Sequence, residues 1–321
     1  MAGGRERELR GRIRSVQATK KITRAFELIA ASQIVRAQQR IAANRPFREG
    51  MARIVVEAAL ADPQAAQKLL TLPEELRSVG VVAVVGDRGL SGAYNSSALR
   101  ATERLLVDLG RRQIEPRLYT VGKKAQSYFR FRRQPVERAF VGMSDRPTFG
   151  QAREVANAVS APFMAGETEQ VLLVSTRYLS AGRQVVETRQ LLPLEDPNRA
   201  GEPGADGAEA DGAGSDRTPV ATGADDGRAS GGYTEFEPDV ESLLGELTPR
   251  AVESEIFAAL LEASASEHTA RQRAMAAATE NADELIRTYS RIMNRERQDS
   301  ITTEIMEIVG GAEALRASKG A

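Results

Sequence analysis

The sequence predicts an α/β domain held between two long helices that come from the chain ends and pair antiparallel. Three observations carry that expectation. Residues 12–45 contain no Gly or Pro and repeat apolar residues at helical spacing. The C-terminal region is free of Gly and Pro from Arg250 to Val309, a span of 60 residues. Between these ends the apolar pattern changes to short β-branched runs alternating with helical segments, the signature of an open α/β layer fold.

In the first segment, Leu9, Ile13 and Val16, then Ile22, Phe26 and Ile29, then Ile34, Ala37 and Ile41 each fall at 4,3 or 3,4 spacing. That spacing places each trio on one helical stripe. Pro46 is expected to kink this helix without ending it, and Asp62-Pro63 and Leu72-Pro73 punctuate the path into the next region. The run Ser78 to Gly86 reads as a strand covered on both faces, because it is almost continuously β-branched. Helices are expected at 96–109, 123–131 and 149–164, and strands at 117–121, 171–178 and 185–194. Residues 195–232 are rich in Gly, Ala, Asp and Glu and carry a net charge near −6. A segment of that composition cannot bury enough apolar surface to offset its ordering entropy, so it reads as a disordered acidic insertion. The expected division is an N-terminal helix over 1–60, an α/β domain over 61–238 containing the insertion, and a C-terminal helix over 239–321.

A helix of 60 residues is a rod of about 90 Å and needs a partner in water. Ile301, Ile305, Ile308, Ala312 and Leu315 keep a 4,3,4,3 seam, and Leu285, Tyr289 and Ile292 do likewise upstream. Ala263, Ala270, Ala274, Ala277 and Ala278 leave a thin surface for close approach. Both seams are expected to face the N-terminal helix. Charge agrees: residues 1–60 hold 13 Lys/Arg against 5 Asp/Glu, and residues 239–321 hold 9 against 15, so helices of opposite sign are suited to lie side by side.

Composition excludes several functions. The chain of 321 residues has no Cys, which removes disulfides, thiolate metal sites and thiol catalysis. The N-terminus lacks an apolar signal-peptide stretch, and the longest β-like apolar run, Val79 to Val85, is too short to span a bilayer. The basic N-terminal arm is interrupted by Glu6, Glu8 and Glu27 and lacks an accompanying nucleic-acid motif. The loop Gly86 to Asn95 follows a strand and precedes a helix, where phosphate-binding loops occur. Its Gly86, Gly89, Gly92 spacing is not the dinucleotide fingerprint, and no Gly-x4-Gly-Lys-Ser/Thr is present. A tight turn is therefore the favoured reading. His268 is the only histidine and supports neither a triad nor a metal site. Thr302, Glu304 and Glu307 form a polar stripe, and Lys20, Lys21 and Arg24 a solvated basic cluster. No cofactor and no metal is expected.

Several stretches resemble the gamma subunit of the F-type ATP synthase, the central rotor shaft. Ile13 to Ser32 is similar to that family's first helix, and Gly86 to Asn95 to its Gly-rich loop, with Ser91 where the family often has Cys. Ser264 to His268, Ala270-Arg271, Ala274-Met275 and Ala278 to Ala282 match the family, as does Arg297-Gln298 followed by Ile301-Thr302, Glu304-Ile305 and Glu307 to Ala312. The resemblance implies a Rossmann-like domain clasped by an antiparallel coiled coil inside a hexamer of alpha and beta subunits. It implies a shaft that is not itself catalytic and binds no nucleotide. Its foot would meet the epsilon subunit and the ring of c subunits, at the cytoplasmic face of the bacterial membrane and without spanning it. Carried over residue by residue, Arg297 and Gln298 would engage a beta-subunit loop, with Thr302 and Glu304 in the same coupling stretch. Lys21, Arg24 and Phe26, the last where the family commonly has Met, would lie near acidic lever loops of the beta subunits. Chloroplast relatives have a regulatory insert with redox cysteines in a similar region to 195–232; without Cys, thiol switching is excluded here. Two other readings fit less of the chain: the coiled-coil stalk of a related vacuolar-type rotary ATPase, and an α/β nucleotide hydrolase.

Overall fold

A computed structural model describes residues 2–62, 71–73, 75–194 and 239–319. The acidic insertion expected over 195–232 lies outside the described residues. Helix α1 spans Ala2–Ala61 and α5 spans Val240–Lys319. Between them come β1 (Ser78–Val84), α2 (Tyr94–Arg111), β2 (Glu115–Val121), α3 (Lys123–Phe131), β3 (Arg138–Phe140), α4 (Phe149–Met164), β4 (Gln170–Tyr178) and β5 (Gln184–Leu192).

The five strands form one sheet in the order β3-β2-β1-β4-β5. The first four are mutually parallel, and β5 returns antiparallel to β4 at the edge. Every residue of β1 is buried, as its unbroken apolar run requires of a central strand. Its side chains alternate between two cores. Val79, Val81 and Ala83 pack with Leu99, Leu106 and Leu109 of α2 and Phe129 of α3. Val82 and Val84 point the other way, to Val155 and Val159 of α4 and Val252, Ile256 and Ala259 of α5. Helix α4 starts on a capping box, in which Thr148 accepts from the Gln151 N–H and the Gln151 side chain accepts from the Thr148 N–H. The short strand β3 escapes the sequence pattern because three residues carry too little periodicity to register.

The long helices pair as expected, and Pro46 and Pro249 sit inside them without ending them. Arg5 meets Glu296, Lys20 meets Asp283, and Arg48 meets Glu255 at 2.6 Å, which sets an antiparallel register. The seam on α1 runs through Leu9, Ile13, Val16, Lys20, Thr23, Glu27, Ala30, Ile34 and Ala37, an unbroken 4,3 repeat of buried and half-buried residues. This corrects the expectation for Ile22, Phe26 and Ile29. They lie one position back, about 100° around the helix, and are exposed. The middle of the seam is polar instead: Thr23 and Thr279 share a hydrogen bond of 2.8 Å, flanked by the Lys20–Asp283 pair. On α5 the facing residues are Met275, Thr279, Ala282, Ile286, Tyr289 and Met293, so Leu285 and Ile292 also turn outward.

The second correction concerns the C-terminal seam. The first described residues of α1 lie opposite Ser300 in this register, and α5 runs on past them. Ile301, Ile305, Met306, Ile308 and Val309 are 49–71% exposed and do not pack on the N-terminal helix. Two substitutions separate these environments. Ile256→Ala removes a fully buried side chain from the sheet–helix core and lowers unfolding free energy by about 2–4 kcal/mol. Ile305→Asp on the overhang changes it by less than about 0.5 kcal/mol. Urea titrations of the isolated chain read both. A large loss at position 305 would show that the overhang is packed.

Candidate interaction surfaces and the closed glycine loop

A doubly wound sheet offers its ligand crevice at the carboxyl ends of the parallel strands, where the chain order reverses. Here that point lies after β1, between β2 and β4, and the Gly86–Asn95 loop emerges from it. The crevice is filled from within the chain. Glu267 of α5 is 2% exposed and presses on Gly86 so closely that a Cβ there would sit 2.7 Å from its Oε1. Arg271, one turn on, donates to the same carboxylate and reaches the Gly89 carbonyl at 3.4 Å. Burial pushes the Glu267 carboxyl up, and Arg271 opposes that shift. Gly122 has φ of 98°, and a Cβ on it would meet the Val85 carbonyl oxygen at 2.2 Å, so a side chain at this crossing is excluded.

Asp87 holds the loop down. Its carboxylate accepts from the backbone N–H groups of Lys123, Gly142 and Ser144 at 2.9–3.0 Å, joining the ends of β1, β2 and β3. Burial alone would raise this carboxyl, but those N–H groups outweigh it and hold it below the ordinary range. His268 is buried beside Asp145, its Nε2 lying 3.4 Å from Oδ1; burial lowers its pKa and Asp145 partly offsets this. Among the described residues no group of three or more His, Cys, Asp or Glu could hold a metal ion. Neither the Glu267 plug nor the Asp87 staple was legible as such: both are single carboxylates whose partners are distant in sequence.

The seven contact residues expected from the resemblance fall into two groups. Lys21, Arg24 and Phe26 are all exposed on α1, the two basic residues on the face away from the seam and Phe26 on a flank beside it, with Arg24 tied to Glu27 at 2.7 Å. Arg297, Gln298, Thr302 and Glu304 lie exposed where the coiled coil gives way to the single helix, and Thr302 donates back to the Gln298 carbonyl at 2.9 Å. The groups are not brought together. Position 297 faces the start of α1, so about 15 residues of helix, roughly 22 Å, separate it from Lys21. Beside Phe26, Ile22 and Ile29 are exposed on the same flank of α1, and Leu28 and Val35 are exposed on the opposite flank. No described helix is long and apolar enough to cross a membrane.

A closed crevice, a two-helix rod and apolar flanks on that rod define a stalk protein, built to be gripped by neighbours. Comparison gives the family. The family model for ATP synthase matches residues 5–315. The gamma chain of the ATP synthase of Parafrankia sp. is 43% identical over 318 residues, covering 97% of this chain and 98% of that one. That of Mycolicibacterium gilvum is 40% identical over 327 residues, covering 98% of each. The chain belongs to the ATP synthase gamma-chain family. Its fold is shared with a chain in the Euglena gracilis mitochondrial ATP synthase (TM-score 0.62, 17% identity, 99% of this chain and 97% of that one). The Tetrahymena thermophila mitochondrial central stalk and c-ring structure also contains a match, at TM-score 0.56 and 24% identity over 80% of this chain and 99% of that one.

Removing the Asp87 staple tests how the loop is held. Asp87→Ala strands three backbone donors and lowers stability by about 2–3 kcal/mol. Because the folded pKa lies below the ordinary value of 3.8, this stabilisation is present above that value and lost as pH falls through the lowered one. Chemical denaturation of both proteins from pH 7 to pH 3 therefore shows a gap that narrows at the acid end. A gap independent of pH would mean the carboxylate charge is not what holds the loop.

Proposed function

We propose that this chain is the central shaft of a bacterial ATP synthase and carries rotation between the c-subunit ring and the catalytic alpha–beta hexamer. The observation that carries the reading is the C-terminal overhang, where Ile301, Ile305, Met306, Ile308 and Val309 stay exposed on a helix that has left its partner. Apolar surface of that extent on a single helix needs a cover, and a sleeve of surrounding subunits supplies one. The shaft works by asymmetry. Lys21 and Arg24 present a basic face and Phe26 an apolar flank at one level, and Arg297, Gln298, Thr302 and Glu304 a polar surface nearer the tip. As the rod turns, each beta subunit meets a different flank. Contacts that differ between orientations shift each site's conformational equilibrium, and linkage makes the effect reciprocal, so nucleotide exchange can also drive the rod.

The chain is not itself catalytic in this reading, since Glu267 and Arg271 fill the crevice in which a doubly wound fold would hold a nucleotide. The foot, where α1 ends and α5 begins, would meet the epsilon subunit and the c ring. The complex would sit at the cytoplasmic face of the membrane with this subunit peripheral to it. The domain division expected above gives the rod to 1–60 and 239–321 and the α/β body to the residues between.

Co-purification tests the assembly directly: a tagged chain should bring down alpha and beta subunits in equal amounts, and recovery of the chain alone would sink the proposal. Coupling is tested by Arg297→Ala with Gln298→Ala. Loss of their charge-assisted and neutral hydrogen bonds should slow ATP turnover of the assembled complex about three- to tenfold, corresponding to roughly 0.7–1.4 kcal/mol. Full turnover with intact assembly would remove these two residues from the coupling surface.

A further inference from the structure

Several guanidinium groups where the rod joins the α/β domain are paired with carboxylates. Arg48 reaches Glu255 and Glu262, Arg189 reaches Glu187, and Arg271 reaches Glu267. Three arginines of the same junction are not so paired. A cleft of about 350 Å³ lies between α1, α5 and the loop after β3, and Arg36, Arg40 and Arg146 all line it. Among the described residues none of the three has a carboxylate within 4.0 Å. The one acid in the lining, Asp145, faces His268. Three guanidiniums against one carboxylate leave the cleft cationic, and the neutral form of His268 is favoured there by burial.

One of these side chains and the loop that bears another are held in place. The Pro147 carbonyl accepts from Nη2 of Arg40, fixing that guanidinium against the loop. The loop bearing Arg146 is anchored by α5, where Ser264 donates to the Asp145 carbonyl at 3.0 Å and His268 Nε2 lies 3.4 Å from the same oxygen. Burial and then the charge of Arg146 both push the Arg40 pKa down, so the two like charges feel each other. Exposed arginines that repel normally swing apart into water. Here one is tied to the loop that carries the other.

The geometry points to a binding site for a small multivalent inorganic oxyanion, of the phosphate or pyrophosphate class, between Arg36, Arg40 and Arg146. Planar guanidinium forks match the oxygens of such an anion and bind it by charge-assisted pairs. Bound there, it would bridge the N-terminal helix to the loop of the α/β domain and cancel the Arg40–Arg146 repulsion. It would thereby stiffen the joint between rod and body. The site is separate from the closed glycine loop and from the exposed flanks of the rod.

Isothermal titration of the full chain with pyrophosphate, and separately with inorganic phosphate, tests it against sodium chloride at matched ionic strength. The expected result is saturable one-site binding with a sub-millimolar dissociation constant for pyrophosphate, weakening as salt rises. Arg146→Gln, at an exposed position that does not endanger folding, should weaken it about tenfold or more, and Arg111→Gln on α2 should leave it unchanged. Thermal melts give a second readout. In phosphate-free buffer Arg146→Gln should melt higher than the parent, because the repulsion is gone; pyrophosphate should then raise the parent's midpoint and not the variant's. No saturable binding below about 10 mM, or binding that Arg146→Gln leaves intact, overturns the assignment. A parent midpoint unmoved by pyrophosphate also overturns it.

Discussion

Everything in this molecule depends on one stretch of helix that is packed on two sides at once. Between Ala251 and Thr269 nearly every residue of α5 is buried. One side covers the sheet through Val252, Ile256, Ala259 and Ala263. The other meets α1, whose Ala30, Ile34 and Ala37 are buried at the facing level. A helix can be enclosed this way only if its side chains are thin, which is why the stretch is rich in Ala and Ser. Larger residues would force α1 or the sheet away, at a cost of about 1–3 kcal/mol for each overpacked site. The body is therefore not an appendage on a rod. The rod's own C-terminal helix supplies one of the layers of the α/β domain, and torque on one is transmitted to the other through a packed core.

The same helix explains the closed loop. Once α5 lies across the carboxyl ends of β1 and β4, its polar side chains must either find partners or stay unpaired in a dry site. Glu267 solves this with Arg271, and in doing so occupies the space that a doubly wound fold otherwise keeps for a ligand. One of its oxygens still lacks a protein partner among the described residues. The crevice has become an attachment point, with a carboxylate where a phosphate would lie. Asp87 completes the attachment on the domain side by drawing three backbone donors to one carboxylate.

Much of this was legible in the residues, and the misses have a common cause. The covered strand β1, the helices α3 and α4 and the long paired ends follow from periodicity and from Gly and Pro punctuation. Periodicity located the rod but misjudged its register, because Ile22, Phe26 and Ile29 form a convincing stripe while the true seam passes through Lys20, Thr23 and Glu27. Apolar spacing reports which residues avoid water in the assembled protein. In a shaft that is gripped from outside, some of those residues face other chains. The exposed Ile301, Ile305 and Ile308 misled in the same way: their 4,3 spacing is real, but they lie past the first described turn of α1 and pack on none of the described residues of that helix. Pairings such as Thr23 with Thr279 could not be seen at all before the register was known.

That division between an inner polar seam and outer apolar flanks has a mechanical consequence. A coiled coil held only by aliphatic knobs tolerates slippage by a heptad, since one buried methyl group resembles another. The Thr23–Thr279 contact and the Lys20–Asp283 pair are satisfied in one register only, and a slip would leave the buried Thr23 hydroxyl without its cross-helix partner. Lower on the rod, Arg48 locks the same alignment through Glu255 and Glu262. A shaft that must hold a fixed angular relation between its tip and its foot requires this kind of constraint more than it requires maximal stability. Polar residues placed inside the seam supply the alignment, and the apolar residues they displace are left outside, where neighbouring subunits can use them.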